Sequence, residues 1–102
     1  MRYQFVLQWR ESSISDYDEM IELEEQLSKA AATDGDLDGH DIGSGEINIF
    51  FLTETPDALF VRLRPVLFSL DRLATAHVAF RDVSKDEYTV IWPADLRRFV
   101  IT

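Results

Sequence analysis

Asp34, Asp36 and Asp38, with Gly39 directly after them, repeat at the spacing that opens a calcium loop of the EF-hand type. Alternate carboxylates suit a hard cation, and an acidic, helix-like segment precedes them. The rest of the pattern departs. The bidentate glutamate belongs where Gly45 stands, and Glu46 comes one residue late. Asp41 occupies the place of an aliphatic residue, and a strand-like run, not a helix, follows. Three aspartates and a carbonyl fall short of the six to eight oxygens calcium takes. These residues therefore read as an Asp- and Gly-rich turn, and no metal is expected there.

Other combinations in the same stretch are weaker. His40 and Asp41, with Glu46 and the distant His77, have the ligand types of a transition-metal or acid–base cluster. No helical His-x-x-x-His spacing supports it. Gly43-Ser44-Gly45-Glu46 has the look of a phosphate loop, but it lacks the Lys-Ser/Thr pair and a following helix N-terminus. Ser44 lacks the strand-to-helix elbow of a nucleophilic serine. With no cysteine in the chain, thiolate chemistry and zinc-finger sites are excluded. No catalytic residue is assigned, no cofactor is expected, and a non-enzyme fits these residues better than an enzyme.

The elements that must position these residues follow from periodicity. Tyr3, Phe5, Leu7 and Trp9 alternate with Gln4, Val6, Gln8 and Arg10, which predicts a half-buried strand. Ser13 or Ser15 is placed to cap a helix near 15–32, with Asp16, Asp18 and Glu19 in its first turn. Its apolar positions are Tyr17, Met20, Ile21, Leu23, Leu27, Ala30 and Ala31, leaving Glu22, Glu24 and Glu25 for the wet side. A short strand is expected at 37–42, a Gly43-Ser44-Gly45 turn, and a buried strand over 46–53. Thr55 as cap and Pro56 at the first position predict a second helix reaching Leu70, which Pro65 should kink or restart. Residues 74–80 and 88–92 read as a strand pair around a polar turn at 83–87, and 94–102 as a short helix or arm.

Strand, helix, strand pair, helix, strand pair is an α+β order. Two helices on one face of an antiparallel sheet, ferredoxin-like, is its common small form. At 102 residues the chain is one domain. The covered face of the first strand should be Tyr3, Phe5, Leu7 and Trp9. The other face, with Gln4, Gln8, Asn48, Phe50 and His77, is expected to be open.

Charge is the second guide. The net charge is −9, and residues 11–57 hold fourteen acids against one base, Lys29. Such a block repels nucleic acid, whose affinity for proteins comes from Lys and Arg at phosphates. It attracts and steers a basic protein. The N-terminal apolar run is too short and broken for a signal peptide, and no stretch approaches a membrane span. These features predict a cytoplasmic protein that binds neither nucleic acid nor membrane.

The segment Gly39 to Pro56, GHDIGSGEINIFFLTETP, and the Pro65-Val66-Leu67 run after it carry a resemblance. Through His40, Asp41, Gly43, Ser44, Gly45, Glu46, Asn48, Phe50 and Pro56, this third of the chain resembles a group of small bacterial α/β proteins of unassigned function. The resemblance implies a compact single domain and no particular activity. The residues themselves support an acidic interaction module, binding a basic partner or self-associating, through Glu22, Glu25, Asp36, Asp38, His40, Asp41 and Glu46. The alternative is a small-molecule pocket or small enzyme between the glycine-rich loop and the open sheet face, using His40, Glu46 and Asn48.

Overall fold

Residues 2–10 and 17–101 are described by a computed structural model. Along the chain lie β1 (Tyr3–Arg10), α1 (Tyr17–Ala31), β2 (Asp36–Gly43), β3 (Glu46–Thr53), α2 (Pro56–Ser69), β4 (His77–Asp82) and β5 (Thr89–Trp92). All strands join one antiparallel sheet in the order β2-β3-β1-β4-β5. The class is α+β. Ser13, Ser15 and Asp16, the proposed start of the first helix, lie outside the described residues.

Alternation on β1 decides which way the sheet faces. Phe5, Leu7 and Trp9 stand directly opposite Phe51, Ile49 and Ile47 of β3, and Val78 of β4 lies beside Leu7. All seven are buried with Met20, Leu23, Leu27 and Ala31 of α1 and Leu59, Phe60, Leu63 and Leu67 of α2. Both helices therefore cover the same face. Each large side chain fully buried here contributes about 1.5–3 kcal/mol.

Three local features differ from the sequence reading. Thr55 makes no side-chain cap, although Pro56 does open α2. Its carbonyl accepts the first helical bond from Leu59, while its own N–H donates to Thr53 Oγ1. The second helix is one continuous element through Pro65. The carbonyl that Pro65 leaves without a donor is that of Val61, a residue 69% exposed, so water can reach it. The fourth strand begins at His77, not Ala74. Residues 70–76 form a loop held by both tryptophans, whose indole N–H groups donate to the carbonyls of Arg72 (Trp9, 2.9 Å) and Leu73 (Trp92, 2.9 Å).

The second sheet face is not open. Phe99, on the arm that follows β5, is buried against Val6 and Ala79, with Phe50, Tyr88, Val90 and Ile101 around it. Beneath this arm the Gln8 amide donates to Asn48 Oδ1 at 3.1 Å and to the Val100 carbonyl at 2.9 Å. Gln8 and Asn48 are consequently buried, although both were expected on an open face. Gln4 Oε1 accepts from Arg81 and from the Tyr88 hydroxyl. Among the described residues, no helix is long and apolar enough to cross a membrane.

Candidate functional site

The terminal strand β2 and the helix α1 above it gather most of the predicted residues. Ser44 and Gly45, both at positive φ (52° and 80°), make a two-residue turn of the type that joins tight hairpins, and this sets β2 against β3. A bulge between Leu37 and Gly39 then inserts Asp38 as an extra residue. Gly39 takes φ 133° there, a conformation that side chains rarely adopt. Beyond the bulge His40 pairs with Ile49 and Asp41 with Asn48. His40 thus faces the helices, while Asp41 faces away from them.

His40 meets α1. Its Nδ1 lies 2.8 Å from Oε1 of Glu24, and its ring makes an edge contact with Tyr17, centroids 5.8 Å apart. Glu24 is 5% exposed, and its Oε1 is buried beside the His40 ring with no hydrogen bond of regular geometry. The contact is electrostatic and not a directed hydrogen bond. Glu24 was expected on the wet side of α1. It is buried because it lies within the stripe Met20, Leu23, Leu27 and Ala31. A groove of about 520 Å³ lies between α1 and β2, lined by Ile21, Glu24, Glu25, Ser28, Lys29 and Leu37.

The acidic residues divide by face. Glu22 and Glu25 are exposed on α1, Asp36 and Asp41 lie on the sheet face away from the helices, and Asp38 sits at the bulge. Among the described residues no ion pair engages any of these five. Asp34 differs: its carboxylate pairs with Arg62 of α2 and its carbonyl accepts from Thr53 Oγ1. The Asp34–Asp36–Asp38 series is therefore divided between a structural tie and a solvated strand. Among the described residues no three His, Cys, Asp or Glu side chains gather as metal ligands.

The residues of the alternative pocket do not converge. Asn48 is spent on Gln8 under the C-terminal arm, Glu46 shares the Asn48 side of β3 opposite Arg10, and His40 is on the other side of the sheet. Sequence reasoning missed Glu24, Ile21 and Leu37 as parts of the α1–β2 groove, and Tyr17 as the neighbour of His40. The signal available for Glu24 was its place four residues after Met20 and three before Leu27.

One carboxylate outside this surface is strongly perturbed. Asp82, three strands away on β4, accepts from the Ser84 N–H and hydroxyl and from Arg2, which together hold its carboxyl well below the usual range. Arg2 is correspondingly raised, first by its hydrogen bond to Asp82. These contacts close the β1–β4 end of the sheet and touch none of the candidate residues. Comparison of the chain with protein-family models, curated proteins and solved structures found no match.

Proposed function

We propose that this protein is a non-enzymatic interaction module whose acidic α1–β2 edge binds a basic protein partner. The observation that carries this reading is the set Glu22, Glu25, Asp36, Asp38 and Asp41, all exposed on α1 and β2 and engaged by no ion pair among the described residues. Uncompensated carboxylates repel one another, and a partner bearing Lys or Arg relieves that repulsion while being steered to the edge. Glu46 and His40 flank the set. The same reading places the protein in the cytoplasm and keeps the likeness to small bacterial α/β proteins as its background. It also takes the frame as ferredoxin-like. The order β2-β3-β1-β4 with both helices on one face supports that, β5 being an added edge strand.

The test is capture from native cell extract at low salt, comparing the tagged wild-type protein with a variant carrying Asp36→Asn, Asp38→Asn and Asp41→Asn. The expected outcome is a stoichiometric basic protein, released by added salt and lost with the variant. Equal capture by both forms would count against the reading.

Self-association is a second reading, favoured by the outer surface of α2. Val61 and Phe68 are 69% and 76% exposed, and Phe68 borders a groove of about 580 Å³ with Pro65, Arg64 and Trp92. Exposed apolar side chains in one patch are common at subunit contacts. Sedimentation equilibrium should then show a dimer that Phe68→Asp dissociates; a monomer at high concentration in both forms removes this reading.

A further inference from the structure

We infer that this protein forms a two-fold symmetric dimer in which the α2 helices of two copies lie antiparallel and each Phe68 enters the other copy's groove beside Trp92. The inference rests on the self-association reading above and adds to it the orientation of the second copy and the charge pair that fixes it. Val61, Arg64, Pro65 and Phe68 recur at the spacing of a single helix face, and all four are exposed. The opposite face of α2, with Leu59, Phe60, Leu63 and Leu67, is buried in the core. The helix therefore carries apolar side chains on its outer side as well, and Val61 and Phe68 are left there in water at 69% and 76% exposure.

The groove beside Phe68 is already built. Pro65, Ala74 and Trp92 line it with the buried Leu73. Trp92 is held by its indole N–H on the Leu73 carbonyl at 2.9 Å and by Phe60, ring centroids 6.2 Å apart, so this wall needs no ordering when a side chain arrives. A volume of about 580 Å³ admits a phenyl ring. Projecting ring and receiving groove lie side by side on one surface. An isologous contact requires that arrangement, since the same patch serves both copies.

Charge selects a second copy as the occupant. Arg64 and Asp71 both line the groove, and among the described residues no ion pair engages either. Arg64 lies over the Trp92 ring, 4.9 Å from its centroid, which leaves the N–H edges of the guanidinium for an acceptor. An acidic ligand would suit Arg64 but meet Asp71, and a basic ligand the reverse. A copy turned about a two-fold axis near Phe68 brings its Asp71 to Arg64 and its Arg64 to Asp71, because Arg64 precedes Phe68 by four residues and Asp71 follows it by three. Residues 58–102 hold seven bases and five acids, so this part of the chain lies outside the acidic block that would drive copies apart.

The test is sedimentation equilibrium of the full chain over a concentration and salt series. The wild type should dimerise, and the dimer should hold or tighten as salt rises, since salt screens the repulsion between two copies of net charge −9 and not the apolar contact. Arg64→Glu and Asp71→Lys should each weaken self-association by about tenfold or more, because each sets like charges against one another at both ends of the contact. Mixing the two variants should restore a heterodimer of wild-type strength. Both positions are exposed, and thermal melting checks that each variant folds. A second measurement leaves Asp71 unchanged. A nitroxide on Arg64→Cys, the only thiol in that variant, mixed with isotope-labelled wild type, should broaden the amides of Asp71 and Ala74 and spare those of Asp36 and Asp41. A dimer that Phe68→Asp dissociates, but with no recovery on mixing and no broadening at Asp71, would overturn the antiparallel pairing and leave self-association through α2 standing. A wild type that stays monomeric at high concentration would overturn both.

Discussion

Glu24 stands against the usual distribution of residue types, since glutamate is rarely buried without full pairing. Its Oε1 lies 2.8 Å from His40 Nδ1 yet accepts no hydrogen bond, so the desolvation it suffers is only partly offset. Glu24→Leu keeps a similar volume within the stripe Met20, Leu23, Leu27 and Ala31 and removes the charge. His40, whose side chain is 27% exposed, can then turn to water. The variant should gain about 1 kcal/mol, within the cost of leaving a buried polar group unmade. Urea unfolding at neutral pH measures this. A loss of stability would mean that the Glu24–His40 pair holds α1 onto β2 instead. The position of Glu24 was legible in the sequence, four residues from Met20 and three from Leu27, but its type argued for the wet side. His40 was harder to place. Counting by twos from Leu37 gives the helix side to Gly39 and Asp41; the extra residue at the bulge gives it to His40 and Ile42 instead. Nothing in the sequence alone marks that bulge apart from Gly39.

At the scale of elements, the bulge makes a sharp prediction about two glycines. Gly39 holds φ 133° with open space where a side chain would go, so a Cβ there meets only backbone strain. Gly39→Ala should cost about 1–2 kcal/mol. Gly43 has the same open space and no positive φ. Gly43→Ala should change stability by less than about 0.5 kcal/mol, or raise it slightly through the unfolded chain. Equal effects in urea unfolding would contradict the bulge. The hairpin itself was readable, because Gly43-Ser44-Gly45 between two polarised runs is a strong turn signal, and both helices followed from their apolar spacing. The arm was not readable. Phe99 belongs to no periodic run, and its burial against Val6 and Ala79 depends on a face whose polar residues, Gln8 and Asn48, suggested exposure. Their mutual hydrogen bond, and the one from Gln8 to the Val100 carbonyl, satisfy these groups and let the arm lie over them. The start of β4 was misjudged for a related reason. Ala74 to Ala76 have strand-like composition, but the two indole N–H groups fix the preceding loop from outside that segment.

For the whole molecule, the decisive property is where the charge sits. The net charge is −9, and the acidic block of residues 11–57 supplies both α1 and β2, which fold against each other. The fold divides that block between the outer surface of α1 and the exposed residues of β2, with Glu24 buried between the two elements. The sheet face behind β1 is covered by the protein's own C-terminal arm, and the outer surface of α2 sets Val61 and Phe68 beside Arg62 and Arg64, so the proposed docking site for a basic partner is the acidic surface of α1 and β2. Exposed charges act through a screened field with a Debye length of about 8 Å at physiological salt, so the binding they drive must weaken as salt rises. The measurement that tests this most directly is the affinity of the captured partner across a salt series, for the wild-type protein and for the variant with Asp36, Asp38 and Asp41 changed to Asn. The wild-type affinity should fall steeply with salt, and the variant should bind more weakly and with a flatter dependence. The same affinity and the same salt dependence in both would contradict an acidic docking edge.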